Sequence, residues 1–340
     1  MRNILFVQSL TVFRTISHHG VRSSCVYGTK ITCNASASHR PIHTTVISKA
    51  QYPALVSTEW VAEAMASRKT PEGRPFRVLD ATRIGAETME ARIPGSHHID
   101  LHQLCDKDSP YRFTVPTPEK FSEYVGETLG VDNDTHVVLY EEKVNVMTAP
   151  RIWWIFRYFN HDAISVLDGG LPQWMAENRM VTEVPPPAPE AAEFKVTERR
   201  EELYKGFEDI LQNVKDKEFQ IMDARLEEWY DGSKPSVYED IPLGIMKMAT
   251  NIPFNNVLND DGTKFRSPDD LRNLFESRGI DLSRPLTSSC YIGITASILA
   301  MSAFLAGKED VAVYDGSWEE YAQKGPEDSM NLYTYEEKEP

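Results

Sequence analysis

The chain repeats itself, and that repetition limits its fold more than any other feature. "FRVLDATR" at 76–83 returns as "FQIMDARL" at 219–226, and "VLDGGLPQWMAE" at 166–177 returns as "VYDGSWEEYAQ" at 313–323. The order between these markers is the same both times. An apolar strand ending in Asp80 or Asp223 leads through a long loop to a helix, "TPEKFSEYVGETLGV" or "SPDDLRNLFESRGI". Both helices open on Ser or Thr, then Pro and an acid, a cap followed by a good first turn. An apolar run follows, "THVVLY" or "RPLTSSC", then a helix and the "DG" strand end. Short apolar runs alternating with amphipathic helices predict a parallel sheet covered on both faces. The fold class is therefore α/β, with one small domain in 51–182 and another in 205–326. The Pro-rich, then charged, segment 183–204 reads as a linker. The end of the chain, 327–340, reads as an acidic solvated tail.

Three hundred and forty residues suit roughly two domains with real cores. Residues 1–50 hold six Lys or Arg, four His and no acid, although the formal net charge of the whole chain is −15. This Ser-rich, amphipathic leader fits a mitochondrial transit peptide; the alternative is a cytoplasmic protein with an unstructured extension. The acidic body excludes a nucleic-acid binder, which needs a positive stripe to neutralise phosphates. Cys25, Cys33, Cys105 and Cys290 are too widely spaced for a zinc cluster or a disulfide framework. The charge-free stretch from Pro285 to Gly307 could be taken for a membrane span, but it is interrupted by Gly293, Thr295 and several serines. No membrane partner is expected.

Cys290 stands where the fourth element of the second repeat ends and a helix begins; the first repeat has no cysteine there. A single active site per chain would therefore lie in the second repeat. The carboxyl edge of a parallel strand is where ligands bind in open α/β sheets. Amides of the loop Tyr291, Ile292, Gly293, Ile294 and Thr295, with the helix N-terminus, would cradle an anion and favour a thiolate. Gly293 would permit close backbone approach and Thr295 would cap the helix. Such a thiolate suits covalent catalysis, taking a group and passing it on. Phosphoryl transfer would need an arginine at the loop's end, where Ala296 stands. A persulfide, which needs only N–H donors, fits better.

"ARIPGSHHIDL", "APRIWWIFRYFNHDAISVLDGGLPQW", "NIPF", "CYIGITAS" and "VYDGSW" carry a resemblance to the tandem rhodanese-like sulfurtransferases, over about 55–325. The resemblance implies two rhodanese-like domains, the first without a catalytic cysteine. It implies that Cys290 becomes a persulfide, moving sulfane sulfur from a small donor of the thiosulfate or 3-mercaptopyruvate type to a small thiol or thioredoxin-like acceptor. It implies no cofactor and no metal.

The departures from that family are as pointed as the matches. Its loops read C-G-S-G-V-T or C-R-K-G-V-T, whereas Tyr291 and Ile292 stand here. Its two donor-binding arginines fall on Trp229 and Tyr238, and an Asp and a His of its first domain fall on His102 and Phe113. Arg225 is retained and, with Asp223, reads as structural support near the site. Either the donor is more apolar, or the protein is a weakened, binding or regulatory relative. Trp153, Trp154 and Phe156 read as core. His97 and His98 read as half-exposed without a metal, and Cys105 as a bystander in a loop. Asp80 and Asp223 read as loop tethers.

Overall fold

Strands covered on both faces are buried along their whole length, and His136–Tyr140 and Leu286–Ser289 are buried at every residue, although the second carries three hydroxyls. The computed structural model describes residues 52–83, 91–142 and 147–335. The leader 1–50, with Cys25 and Cys33, and the last part of the tail lie outside the described residues. The first repeat runs β1 (Leu55–Val56), α1 (Thr58–Ser67), β2 (Phe76–Asp80), β3 (His97–His98), α2 (Leu101–Leu104), α3 (Pro118–Glu123), β4 (His136–Tyr140), α4 (Ala149–Tyr158), β5 (Ile164–Leu167) and α5 (Gly170–Ala176). The second runs β6 (Tyr204–Lys205), α6 (Phe207–Asp216), β7 (Gln220–Asp223), α7 (Glu227–Tyr230), β8 (Leu243–Met246), β9 (Ala249–Asn251), α8 (Pro268–Ser277), β10 (Leu286–Ser289), α9 (Ile294–Leu305), β11 (Ala312–Tyr314) and α10 (Ser317–Lys324), followed by β12 (Met330–Tyr333).

The two sheets have one topology. Their orders are β1-β5-β4-β2-β3 and β6-β11-β10-β7-β9, and every pairing within them is parallel. Register matches too: Asp80 lies opposite Tyr140, and Asp223 opposite Ser289. The capped starts expected for α3 and α8 are present, with Thr117 and Ser267 accepting from the backbone of Lys120 and Asp270.

The repeats share a core. Every residue of α4 is buried, and it packs on α9, with Trp153 edge-on to Phe304 at 5.1 Å between centroids. A helix apolar on all sides belongs inside a protein. That explains the charge-free stretch 285–307: it is a buried strand, loop and helix. Among the described residues no helix is long and apolar enough to cross a membrane. Trp153, Trp154 and Phe156 are core residues, as expected.

Two segments are more ordered than their composition suggests. The Pro-rich stretch lies along the first repeat, where the Ala192 N–H donates to the Gly126 carbonyl, Asn133 pairs with the backbone of Lys195, and Phe194 is buried beside Phe121. A methyl on Gly126 would meet the Ala192 carbonyl at 2.5 Å, so only glycine admits this approach. Within the segment read as a solvated tail, β12 pairs antiparallel with β8.

Candidate active site

β10 lies inside its sheet, between β7 and β11, so its carboxyl end opens at the middle of the sheet edge. Cys290 is the next residue and is 1% exposed. The loop reverses direction through Gly293, whose φ of +82° is costly for any residue with a Cβ. That conformation turns the Gly293 N–H onto the Cys290 Sγ at 3.1 Å. The Cys290 N–H itself donates to the Ser317 hydroxyl, at 3.2 Å. The expected fan of amides therefore reduces to one N–H on the sulfur among the described residues. The start of α10 holds the loop from behind: the N–H groups of Trp318 and Glu319 donate to the carbonyls of Cys290 and Tyr291, each at 2.9 Å. Thr295 does not cap α9. Gly293 is the N-cap residue, without a side chain to bond, so Thr295 falls inside the first turn.

Cys290 faces a cavity of about 260 Å³, lined by Tyr291, Ile292, Ile294 and Thr295 of the loop and by Trp229, Val237, Tyr238 and Phe254. Arg225 lines it from beneath; Met147 and Arg83 reach it from the first repeat. Tyr238 meets Tyr291 edge-on at 5.7 Å, and Trp229 lies 6.5 Å from it. Trp229 and Tyr238 thus stand beside the sulfur, as their sequence positions implied, and bring no charge. The Tyr291 hydroxyl is buried with no hydrogen-bond partner.

Asp223 and Arg225 are paired with each other and buried. Arg225 grips both oxygens of Asp223 (Nε at 3.0 and 3.1 Å, Nη2 at 2.7 Å) and donates to the Gly244 carbonyl at 2.9 Å. Burial opposes its charge, but Asp223, with smaller contributions from Tyr291 and Cys290, lifts its pKa above the usual arginine value. Asp80 is likewise a tether, accepting from the Thr82 amide at 2.9 Å and from its hydroxyl at 2.5 Å.

Several other residues lie elsewhere. His102 and Phe113 meet with tilted rings, 4.7 Å between centroids, and line a neighbouring cleft of about 550 Å³. Cys105, in the same cleft, closes α2; burial pushes its thiol up to about 12, which makes it a poor nucleophile. His97 and His98 are half-buried on β3, the former bonded to the Pro187 carbonyl at 3.0 Å. Arg83 and Met147 were not found from sequence. The signal for Arg83 was present, since "DATR" matches the "DAR" that holds Arg225, but its placement depends on how the repeats pack.

The rhodanese-like domain model matches residues 57–177. Thiosulfate sulfurtransferase of Rattus norvegicus is 41% identical over 290 residues, 83% of this chain and 96% of that protein. 3-Mercaptopyruvate sulfurtransferase of Homo sapiens is 40% identical over 289 residues, 82% and 95% of the two chains. Among solved structures, the sulfur transferase subunit found sub-stoichiometrically in yeast mitochondrial complex I superposes with a TM-score of 0.70 at 28% identity, covering 82% of this chain and 98% of that one.

Proposed function

Because this chain belongs to the rhodanese-like sulfurtransferase family, we propose that it moves sulfane sulfur from a small donor to a thiol acceptor through a persulfide on Cys290. The observation that carries this reading is the buried Cys290 Sγ, held by the Gly293 N–H in the lining of a cavity. The thiolate attacks the donor's terminal sulfur, the bond to that sulfur breaks, and the remainder leaves with the electron pair. The Gly293 amide, the start of α9 and the walls keep water from the new persulfide. An acceptor thiolate then attacks its outer sulfur, leaves as a persulfide and restores Cys290. Thiosulfate and 3-mercaptopyruvate are the donors of the named relatives and the first to try.

In this reading residues 51–182 are the rhodanese-like domain without a catalytic cysteine, 183–204 the linker, 205–326 the catalytic domain and 327–340 the tail. The basic leader and the mitochondrial relative support mitochondrial residence. A second reading, a binding protein with weakened turnover, is favoured by one observation: Trp229 and Tyr238 stand where the family places its donor-binding arginines.

Intact-mass measurement after incubation with a donor separates the two. The expected result is the gain of one sulfur atom, lost on adding thiol and absent in Cys290→Ser. If none of thiosulfate, 3-mercaptopyruvate and organic thiosulfonates leaves sulfur on Cys290, the transferase reading falls.

A further inference from the structure

The walls around Cys290 are aromatic and aliphatic, and two cations reach them, in opposite situations. Arg225 is spent: both oxygens of Asp223 and the Gly244 carbonyl occupy it. Arg83 is exposed, its guanidinium 5.2 Å from the Phe113 ring centre, and its charge favours the ionised form of the Tyr238 phenol. No carboxylate among the described residues is ion-paired with it, unlike Arg112, Arg151 and Arg225. Arg83 and Tyr238 line both the cavity over Cys290 and the wider cleft beside it, so they stand at the passage between them.

We propose that Arg83, supplied by the first repeat, anchors the donor's negative group, and that the donor is an organic sulfane-sulfur compound with one such group on an apolar body. This rests on the sulfurtransferase reading above and names its substrate class. Size and lining support it. An apolar cavity of roughly 150 Å³ accepts a benzene ring, and this one measures about 260 Å³. Trp229, Tyr238, Tyr291 and Phe254 would pack on such a body, while a small dianion would lose its hydration with little to replace it. The Tyr291 hydroxyl, buried without a partner, awaits a polar atom of the same ligand.

With an arenethiosulfonate, R–SO₂–S⁻, the step balances. The Cys290 thiolate bonds to the terminal sulfur, the bond between the two donor sulfurs breaks, and the sulfinate R–SO₂⁻ leaves with the pair. One negative charge stays on the persulfide and one departs, and Arg83 faces the departing one.

Steady-state kinetics with benzenethiosulfonate, methanethiosulfonate and thiosulfate test this in the full chain, in Arg83→Ala and in Arg83→Lys. The expected order of kcat/KM is benzene, then methane, then thiosulfate. Arg83→Ala should raise KM for benzenethiosulfonate about ten- to a hundredfold, the worth of one charge-assisted hydrogen bond, with kcat within about twofold. Arg83→Lys should recover part of that loss, which a merely structural role would not predict. If KM is unchanged in Arg83→Ala, or thiosulfate is the best donor, the proposal is overturned even though Cys290 still takes up sulfur. If no donor loads Cys290 in the mass measurement, the transferase reading falls and this one with it.

Discussion

The fold builds the same seat twice and fills it differently. One residue past β4 stands Glu141; one residue past β10 stands Cys290, at the matching register position. Each carbonyl accepts the N–H of a matching residue, Leu171 at 3.0 Å or Trp318 at 2.9 Å. In the first repeat the connection to the helix runs through 141–148, and one oxygen of Glu141 accepts the N–H groups of Met147, Thr148 and Ala149, each at 2.9 Å. In the second the connection is only 290–293, and the sulfur accepts one N–H. A place where main-chain N–H groups meet a side-chain acceptor is thus a property of the repeat, with three such groups in the first copy and one in the second among the described residues. The first copy fills it with its own carboxyl group, whereas the second has the Cys290 sulfur there beside a cavity.

The copies are also joined asymmetrically, and this gives the largest expected effect. Arg151, in the first turn of α4, is fully buried; it pairs with Asp315 and donates to the Phe113 carbonyl at 2.7 Å. The corresponding position in α9 is Ala296, and the counterpart of Asp315, Asp168, is partly exposed, 4.0 Å from Lys264. Asp315 also accepts the Val115 N–H at 2.9 Å, and it precedes the Gly316–Ser317 turn behind Cys290. Arg151→Met should cost about 3–5 kcal/mol of unfolding free energy, because it strands a buried carboxylate. Adding Asp315→Asn should return a large part of it, and urea titration of the four proteins measures both. If both single variants lose under about 1 kcal/mol, the two repeats are not held by this pair.

A middle-sized effect contrasts the two helix starts. Gly293 needs its positive φ, and a methyl there would stand 3.0 Å from the Asp315 carbonyl. Thr148, its counterpart, has φ −96° and a buried hydroxyl without a partner. Gly293→Ala should cost about 1–3 kcal/mol and reduce sulfur uptake by Cys290, since it moves the one N–H on the sulfur. Thr148→Val, which keeps the volume and removes the unpaired hydroxyl, should be neutral or slightly stabilising. Equal losses in the two variants, by thermal unfolding, would contradict the view that only the second loop is strained.

How much of this was legible follows from what local sequence encodes. The strands ending in Asp80 and Asp223 and the "DG" corners could be read because a parallel strand buried on both faces is a continuous apolar run. The edge strands Leu55–Val56 and Tyr204–Lys205 are too short to have a period. Cys290 was legible because a cysteine at a strand end before a helix has one geometry available. Arg83 was not: its meeting with Tyr238 depends on how α4 and α9 set the two sheets. His102 and Phe113 show the same limit, since the resemblance aligned them with the loop while the chain puts them in the adjoining cleft. Phe194 escaped notice because a single buried ring in a Pro-rich strap makes no pattern.

The smallest effect tests the comparison most directly, through the acid that takes the cysteine's place. Burial lifts the Glu141 carboxyl from its ordinary 4.5 to about 7, against the pull of its three amide hydrogen bonds and with some help from Asp80. A carboxyl with a raised folded-state pKa binds its proton more tightly when folded. Its contribution is therefore complete below the ordinary value and is lost as pH rises through about 7. His136 and His161, which burial lowers to about 4, act the opposite way, losing stability as pH falls from 6.5. They are present in every variant and cancel in a difference. Glu141→Gln keeps an oxygen for the three amides and removes the titration. Between pH 5.5 and 6.5 the parent should lose about 1 kcal/mol relative to this variant, read from paired urea titrations. A flat difference across that window would mean that Glu141 sits in its seat already ionised, so that burial does not hold its proton.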